Sequence, residues 1–224
     1  MIIVHHLENS RSQRILWMLE ELGLDYEIKH YKRDPETMLA PPELKAVHPL
    51  GKSPVITDDG KVIAETGAII EYLSEKASKL APEAGTDEYL RYRYWLHFGE
   101  GSAMTPLLLK LVFDILPTKP MPFFVRPIAK GISKEALKNF VTPQIDAHLD
   151  YLETELGKND WFVGDDLTGA DIMLSFPLEA LTGRGGLGKK RKNLKAFLKR
   201  IHGRDAYKRA LEKGGEYSIL DSKD

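Results

Sequence analysis

The sequence predicts an α/β unit over the first third of the chain, followed by an all-helical unit. Short β-branched runs alternate with helical patterns from Ile2 to about Ser78, which is typical of an α/β arrangement. Beyond Glu88 the strand patterns fade and apolar residues recur at helical spacing. At 224 residues the chain is long enough for two such units.

Seven elements are predicted in the first unit, in the order β-α-β-α-β-β-α. The first four lie at residues 2–4, 15–22, 26–30 and 42–47. Gly23 ends the first helix, since glycine tolerates the left-handed backbone found at helix C-termini.

A hairpin and a third helix complete the unit. The runs 55–57 and 61–64 flank Asp58-Asp59-Gly60, and Asp-Gly between β-branched runs favours a tight turn. Apolar side chains then share one helical face from residue 68 to 73. Thr66 stands where this helix begins, so its hydroxyl and the free N–H groups of the first turn can hold a carboxylate.

The second unit carries apolar stripes that indicate packed helices. One stripe covers residues 145–156 and another covers 194–201, both at helical spacing. Four prolines between Pro117 and Pro127 predict an irregular connection between helices. We assign residues 1–78 to the first domain, 79–88 to a linker, and 89–224 to the helical domain.

Composition excludes several classes of function. A net charge of −1 gives no general attraction to nucleic acid or to anionic membranes, so no nucleic-acid partner is expected. No segment approaches the roughly 20 apolar residues of a membrane-spanning helix. Met1 leads directly into a strand-like run without a secretory signal, and a cytoplasmic location is therefore expected. The seven histidines show no ligand spacing, and no metal is expected.

The chain contains no cysteine. It can therefore build no disulfide, thiolate metal site or cysteine nucleophile. Any thiol chemistry must use a thiol supplied by the ligand. Ser53-Pro54 at a strand entrance and Glu65-Thr66 at a helix start suggest that this ligand is a small thiol peptide, bound along a strand edge with an acidic group at the helix end.

These motifs, in this order, resemble the cytosolic glutathione transferases. The landmarks are the segment 9–14, Ser53-Pro54, Glu65-Thr66 and the segment 168–171, and the resemblance covers nearly the whole chain. The stretches beginning at Tyr31, Ala40 and Glu100 look most like a branch that includes a yeast glutathione transferase and bacterial relatives. The resemblance implies a thioredoxin-like domain that binds glutathione as co-substrate, a helical domain that holds a hydrophobic electrophile, a role in detoxification, and a homodimer.

By the same resemblance, Ser10 is the group that stabilises the glutathione thiolate. A glutathione thiol is mostly protonated at neutral pH, so the protein must favour its thiolate. Ser10 lies four residues before Arg14, the spacing of the serine-type members. Asn9 and Ser12 are alternatives in the same turn, and a helix N-cap is the ordinary use of such a serine. Arg14 is expected to be a buried ion-pair partner.

The resemblance also assigns the contacts to glutathione. Ser53, before a cis Pro54, offers its backbone to the cysteinyl part, Glu65 takes the γ-glutamyl ammonium, and Thr66 takes the α-carboxylate. Lys52 reaches the glycyl or γ-glutamyl portion. Each assignment has a structural alternative. Pro54 can be an ordinary turn proline, Thr66 can be a helix cap with Glu65 as a favourable charge at the helix end, and Lys52 can be a solvated surface lysine.

The helical domain supplies two further sets of candidates. Met104, Leu108 and Phe123 are candidates for the wall of the electrophile pocket, although such a stripe is more often core. Thr168 and Asp171 have the spacing of a capping box, which is a structural element.

One segment has a sequence close to that of a nucleotide-binding loop. The segment 183–190 nearly matches a phosphate-binding loop, but Lys190 stands where a Ser or Thr must meet magnesium. We interpret the segment as an exposed loop between helices.

Three functions fit the sequence. The first is a glutathione transferase that acts on electrophiles or peroxides. The second is a glutathione-dependent reductase of disulfides or peroxides. The third is a non-catalytic, partner-binding or chaperone-like module, and the intact set of Ser10, Ser53-Pro54 and Glu65-Thr66 argues against it.

Overall fold

A four-stranded mixed sheet forms the centre of the N-terminal part of the chain. The strands are β1 (Ile2–Leu7), β2 (Tyr26–Tyr31), β3 (Val55–Asp58) and β4 (Lys61–Ala64), in the spatial order β2-β1-β3-β4. Strand β1 pairs in parallel with β2 and antiparallel with β3, and β3 and β4 form the hairpin. The computed structural model describes residues 1–182, 187–188 and 190–220. Most of the phosphate-loop-like segment, at residues 183–186 and 189, lies outside the described residues.

Three helices accompany the sheet: α1 (Gln13–Leu22), α2 (Pro42–Val47) and α3 (Thr66–Ala77). The predicted order β-α-β-α-β-β-α is confirmed. Gly23 ends α1 in the left-handed conformation at φ 66°, as its residue type requires.

The hairpin is fastened to α3 through Asp58. Its turn consists of Asp59 and Gly60, both at positive φ, which is the two-residue type that matches strand twist. Asp58 therefore belongs to β3, where its buried carboxylate accepts hydrogen bonds from Tyr72 Oη at 2.7 Å and Lys76 Nζ at 2.5 Å. The hydrogen bond from Lys76 lowers the pKa of Asp58.

The remainder of the described chain is helical, as predicted. It contains α4 (Asp87–His97), α5 (Met104–Ile115), α6 (Arg126–Ala136), α7 (Thr142–Glu155), α8 (Gly169–Thr182), α9 (Lys192–Gly203) and α10 (Asp205–Gly214). Wide π-helical turns at 98–103 and 137–141 continue α4 into α5 and α6 into α7. No helix in the described part of the chain is long and apolar enough to cross a membrane.

The proline-rich connection follows α5. It consists of a short 3₁₀ turn at Leu116–Thr118 and an irregular path to α6, as predicted. Pro127 lies in the first turn of α6, where its missing N–H costs no intrahelical bond.

Helix α8 lies at the centre of the fold. Every residue from Gly169 to Ala180 is buried. It packs against α1 and α3 on the sheet side and against α4, α5 and α9 on the other side, so one apolar core serves both parts. At Gly169 a Cβ atom would come within 2.4 Å of Ile70 Cγ2, so only glycine permits this contact with α3. The division into domains at 1–78, 79–88 and 89–224 stays a proposal.

The start of α8 is held by Asp171. Its fully buried carboxylate accepts hydrogen bonds from Thr168 N at 2.8 Å, Thr168 Oγ1 at 3.0 Å and Phe162 N at 2.9 Å. Thr168 Oγ1 in turn accepts one from Ala170 N at 3.2 Å. Burial raises the pKa of Asp171 to about 6, against the effect of these donors. The carboxylate thus joins α8 to the segment before it.

Asp171→Ala should lower the free energy of unfolding by about 3 kcal/mol, because it leaves buried donors without an acceptor. Urea unfolding measures the change. The exposed Asp165 offers a matched control, and Asp165→Ala should change stability by less than about 0.5 kcal/mol. Equal midpoints for the two variants would contradict a structural role for Asp171.

Candidate active site

The turn between β1 and α1 contains all three candidates for the contact to sulfur. Asn9 adopts a left-handed backbone at φ 50°, which asparagine tolerates and which turns the chain toward α1. Ser10 is 5% exposed and Ser12 is fully buried. Ser10 is therefore the less buried of the two serines.

Ser10 lies beside Ser53 although the two residues are far apart in sequence. Ser10 Oγ is 3.5 Å from Ser53 Oγ, and Ser53 Oγ donates to the backbone oxygen of His5 at 3.2 Å. On its inner side, Ser10 Oγ is 2.8 Å from Ser12 Oγ and accepts from Ser12 N at 3.2 Å. The structure therefore brings together the serine turn and the Ser-Pro motif.

The two alternative residues are engaged elsewhere. Asn9 Oδ1 accepts hydrogen bonds from the backbone N of Ser218 at 2.7 Å and from its Oγ at 2.9 Å. Ser12 Oγ is 2.8 Å from His6 Nδ1. Asn9 thus holds the C-terminal segment, and Ser12 faces inward.

The peptide bond between Ser53 and Pro54 is cis, as expected from the resemblance. Pro54 is buried, whereas Ser53 is partly exposed. The paired register of β1 with β3 begins at Val55, so the backbone of Ser53 lies just beyond the ladder. An extended peptide can add there as a further strand. Lys52 is exposed beside it.

Glu65 and Thr66 form the start of α3. Glu65 has φ 71° and ψ 127°, a conformation that costs a non-glycine residue on the order of 1–3 kcal/mol and that concentrates at functional sites. Its side chain is exposed, while Thr66 is 2% exposed. Thr66 Oγ1 accepts from Arg14 Nη2 at 3.1 Å, and the Thr66 hydroxyl also contributes to lowering the pKa of Glu100.

Arg14 is a buried ion-pair partner, as expected. It is 2% exposed, and its Nη2 atom also donates to Glu100 Oε1 at 2.5 Å. Its Nη1 atom donates to the backbone oxygen of Met173 at 2.7 Å. Arg11, on the outside, is 3.0 Å from Glu100 Oε2. Burial raises the pKa of Glu100, whereas the positive charges of Arg14 and Arg11 lower it. The lowering effects are together larger, so the pKa of Glu100 lies below its ordinary value.

Two residues of this region are not predicted from the sequence. Glu100 was part of a helical stretch, and only its position between two glycines distinguished it. His6 is 1% exposed, and burial together with the neighbouring His30 lowers its pKa to about 4. A histidine within a strand carries no signal of this kind in the sequence.

The electrophile candidates occupy different environments. Met104 is 9% exposed and belongs to the core, which was the alternative for such a stripe. Leu108 and Phe123 are 55% and 85% exposed, and the ring of Phe123 meets Phe124 edge to face. Within the described ranges, no group of three or more acidic or histidine side chains could hold a metal ion.

Comparison with known proteins identifies the class to which this fold and site belong. The N-terminal domain of glutathione S-transferases matches residues 10–76, and the C-terminal domain of the same family matches residues 113–205. The chain belongs to the glutathione S-transferase family.

Two curated yeast proteins and two solved structures illustrate the relationship. Glutathione S-transferase 3 of Schizosaccharomyces pombe is 37% identical over 95% of this chain and 88% of its own length. Glutathione S-transferase 1 of Saccharomyces cerevisiae is 35% identical over 80% of each chain. A glutathione S-transferase from Actinobacillus pleuropneumoniae is 35% identical, with a TM-score of 0.79 over 98% of this chain and 95% of that one. A sphingomonad glutathione S-transferase complexed with glutathione is 25% identical, with a TM-score of 0.73 over 95% and 98%.

Glu100→Gln should lower the free energy of unfolding by about 2 kcal/mol near neutral pH, because buried Arg14 keeps only neutral partners. The loss falls below that of a fully buried pair because Glu100 is 25% exposed. The pKa of Glu100 is lowered on folding, so its contribution exists above its ordinary value of 4.5 and disappears as pH falls through the folded-state value. The difference from the native protein should therefore shrink on acidification.

Arg11→Gln removes only the more exposed ion pair of Glu100, the one with Arg11. Arg11 is 37% exposed, so its loss should cost less than about 1 kcal/mol. Denaturant unfolding at several pH values compares the two variants. If Arg11→Gln lowered the free energy of unfolding as much as Glu100→Gln does, the buried ion pair between Arg14 and Glu100 would not be the main source of the stabilisation.

Proposed function

We propose that the protein binds glutathione where the serine turn, the N-terminal end of β3 and the start of α3 meet, and joins glutathione through its sulfur to an electrophile. The observation that carries the proposal is the 3.5 Å approach of Ser10 Oγ to Ser53 Oγ, next to the cis Ser53-Pro54 bond. This approach supports the proposal, because the cysteinyl part of a bound peptide would lie beside the backbone of Ser53, just before β3.

The two ends of glutathione find complementary groups. The γ-glutamyl α-carboxylate would accept from the Thr66 hydroxyl and from the free N–H groups of the first turn of α3, whose dipole also favours an anion. Glu65, exposed at the same helix end, would pair with the ammonium group. Lys52 is exposed and would reach the glycyl carboxylate or the γ-glutamyl portion. The cysteinyl backbone would pair with Ser53 as an added strand.

Ser10 would act as hydrogen-bond donor to the thiolate. Such a bond, with the positive end of α1 behind it, favours ionisation of the glutathione thiol, whose proton passes to solvent. The thiolate then forms a sulfur–carbon bond with the electrophile, and the leaving group departs with the electron pair of the broken bond. Leu108 and Phe123, both exposed, are the proposed apolar contacts for that electrophile.

The relatives support the same assignment. The two yeast proteins are named as glutathione S-transferases, and the sphingomonad relative is complexed with glutathione. By similarity to the family we also propose a homodimer and a role in detoxification.

Ser10→Ala should lower kcat with an aryl halide by about 10- to 100-fold, because a charge-assisted hydrogen bond to the thiolate is lost. Glutathione affinity, measured by calorimetry, should change little because other groups hold the peptide. Ser102→Ala, at an exposed serine, is the control and should leave both values unchanged. Native turnover in Ser10→Ala would remove Ser10 from the mechanism.

The same preparations distinguish conjugation from reduction. A strictly conjugating enzyme should turn over neither a small disulfide nor cumene hydroperoxide, whereas a reductase should turn over at least one of them. Absence of any heat on titration of the native protein with glutathione would favour the non-catalytic alternative.

A further inference from the structure

We infer that His6 and Ser12 are positioning residues that direct the hydroxyl proton of Ser10 toward the glutathione sulfur. The inference rests on the proposed function, because it concerns how Ser10 becomes a donor. It assigns a role to a buried histidine that has no part in holding glutathione.

The three side chains form a continuous path from the core to the site. His6 Nδ1 is 2.8 Å from Ser12 Oγ, and Ser12 Oγ is 2.8 Å from Ser10 Oγ. Their exposed fractions are 1%, 0% and 5%, in the same order. Bulk water therefore does not compete for these bonds, and bonds in such a chain polarise one another.

The direction of the protons along this path decides what Ser10 can do. A hydroxyl has one proton to donate and two lone pairs that accept. If Ser12 donates to His6, Ser10 must donate to Ser12 and has no proton left for sulfur. If His6 donates to Ser12, then Ser12 donates to Ser10, and the Ser10 proton is free.

The surroundings of His6 favour the second direction. Burial keeps the imidazole neutral at physiological pH, because it lowers the pKa of His6 to about 4, against a smaller raising effect of the Gly214 carbonyl. A neutral ring carries one proton. Nε2 is buried and forms no well-aligned hydrogen bond with the described residues, although the Gly214 carbonyl lies near the ring, so a proton placed there would be poorly paired. On Nδ1 the same proton makes the 2.8 Å bond to Ser12.

Ser10 then accepts two hydrogen bonds and donates one. The lone pairs of its Oγ receive Ser12 Oγ–H at 2.8 Å and Ser12 N–H at 3.2 Å. The other acceptor near Ser12 Oγ, the Leu7 carbonyl, is more distant at 3.4 Å. Among the described residues, the acceptor found for the Ser10 proton is Ser53 Oγ at 3.5 Å, a weak contact that a thiolate can replace. No proton is transferred along the chain, and His6 stays neutral throughout.

The test measures the pKa of the thiol of bound glutathione through its ultraviolet thiolate absorbance. Ser12→Ala and His6→Leu should each lower the thiolate fraction near neutral pH by about tenfold, the effect of one hydrogen bond in a charged network. His6→Asn retains an N–H near the position of Nδ1 and should restore most of the native value. Activity should follow the thiolate fraction, so the loss in kcat should vanish at alkaline pH, where the thiol ionises unaided. A defect of folding would persist there.

Ser10→Ala serves as the reference that separates the two proposals. If it leaves the thiol pKa unchanged, the proposed function of Ser10 fails. If it raises the thiol pKa while Ser12→Ala and His6→Leu do not, only the role of His6 and Ser12 fails.

The tautomer of His6 gives a readout that depends on no substitution. Nitrogen-15 NMR of the native protein should show the proton on Nδ1. A proton on Nε2 would reverse the direction of the path and overturn the inference.

Discussion

A guanidinium group placed inside the protein is the constraint around which the rest of the structure is arranged. A buried charge is tolerated only when it is paired and hydrogen-bonded, and Arg14 meets this requirement by drawing on three other parts of the chain. Glu100 supplies the opposite charge, the backbone of Met173 in α8 supplies a carbonyl, and Thr66 at the start of α3 supplies a hydroxyl. The ring of Phe176 lies 5.2 Å from the guanidinium carbon. One side chain of α1 thus connects α3, α8 and the π-helical turn after α4.

The ability of the candidate site to bind a ligand depends on these fixed positions. Its groups are backbone amides, helix ends and small hydroxyls, each of which is a weak ligand when it can move. They bind well when they are pre-organised, because the entropy of ordering them is spent during folding instead of on binding. The Arg14 bond to Thr66 and the Ser12 bonds to Ser10 serve the same purpose, since each holds a hydroxyl of the candidate site in a fixed position.

Much of the fold was predictable because strands and helices are encoded by local periodicity. The hairpin and the stripes of α1, α7 and α9 have apolar patterns that tertiary contacts reinforce. The π-helical turns at 98–103 and 137–141 were not predictable, since apolar spacing does not distinguish a π-helical turn from an α-helical one inside a continuous helical stretch. In the site, the motifs around Ser10 and Ser53 were found through family resemblance. The roles of Glu100 and His6 arise only from burial and from neighbours distant in sequence, which periodicity does not reveal.

The hydrogen bonds between Asn9 and Ser218 have a consequence for the order in which the protein matures. Residues 209 positions apart in the chain meet in the turn that carries Ser10. Tyr217, next to Ser218, is anchored by its hydroxyl to the buried carboxylate of Glu179 in α8 at 2.7 Å. During synthesis on the ribosome, the turn emerges before Ser218, so this support can form only after Ser218 has been made. The candidate site thus reaches its final form only after residues far along the chain from Ser10 have been made.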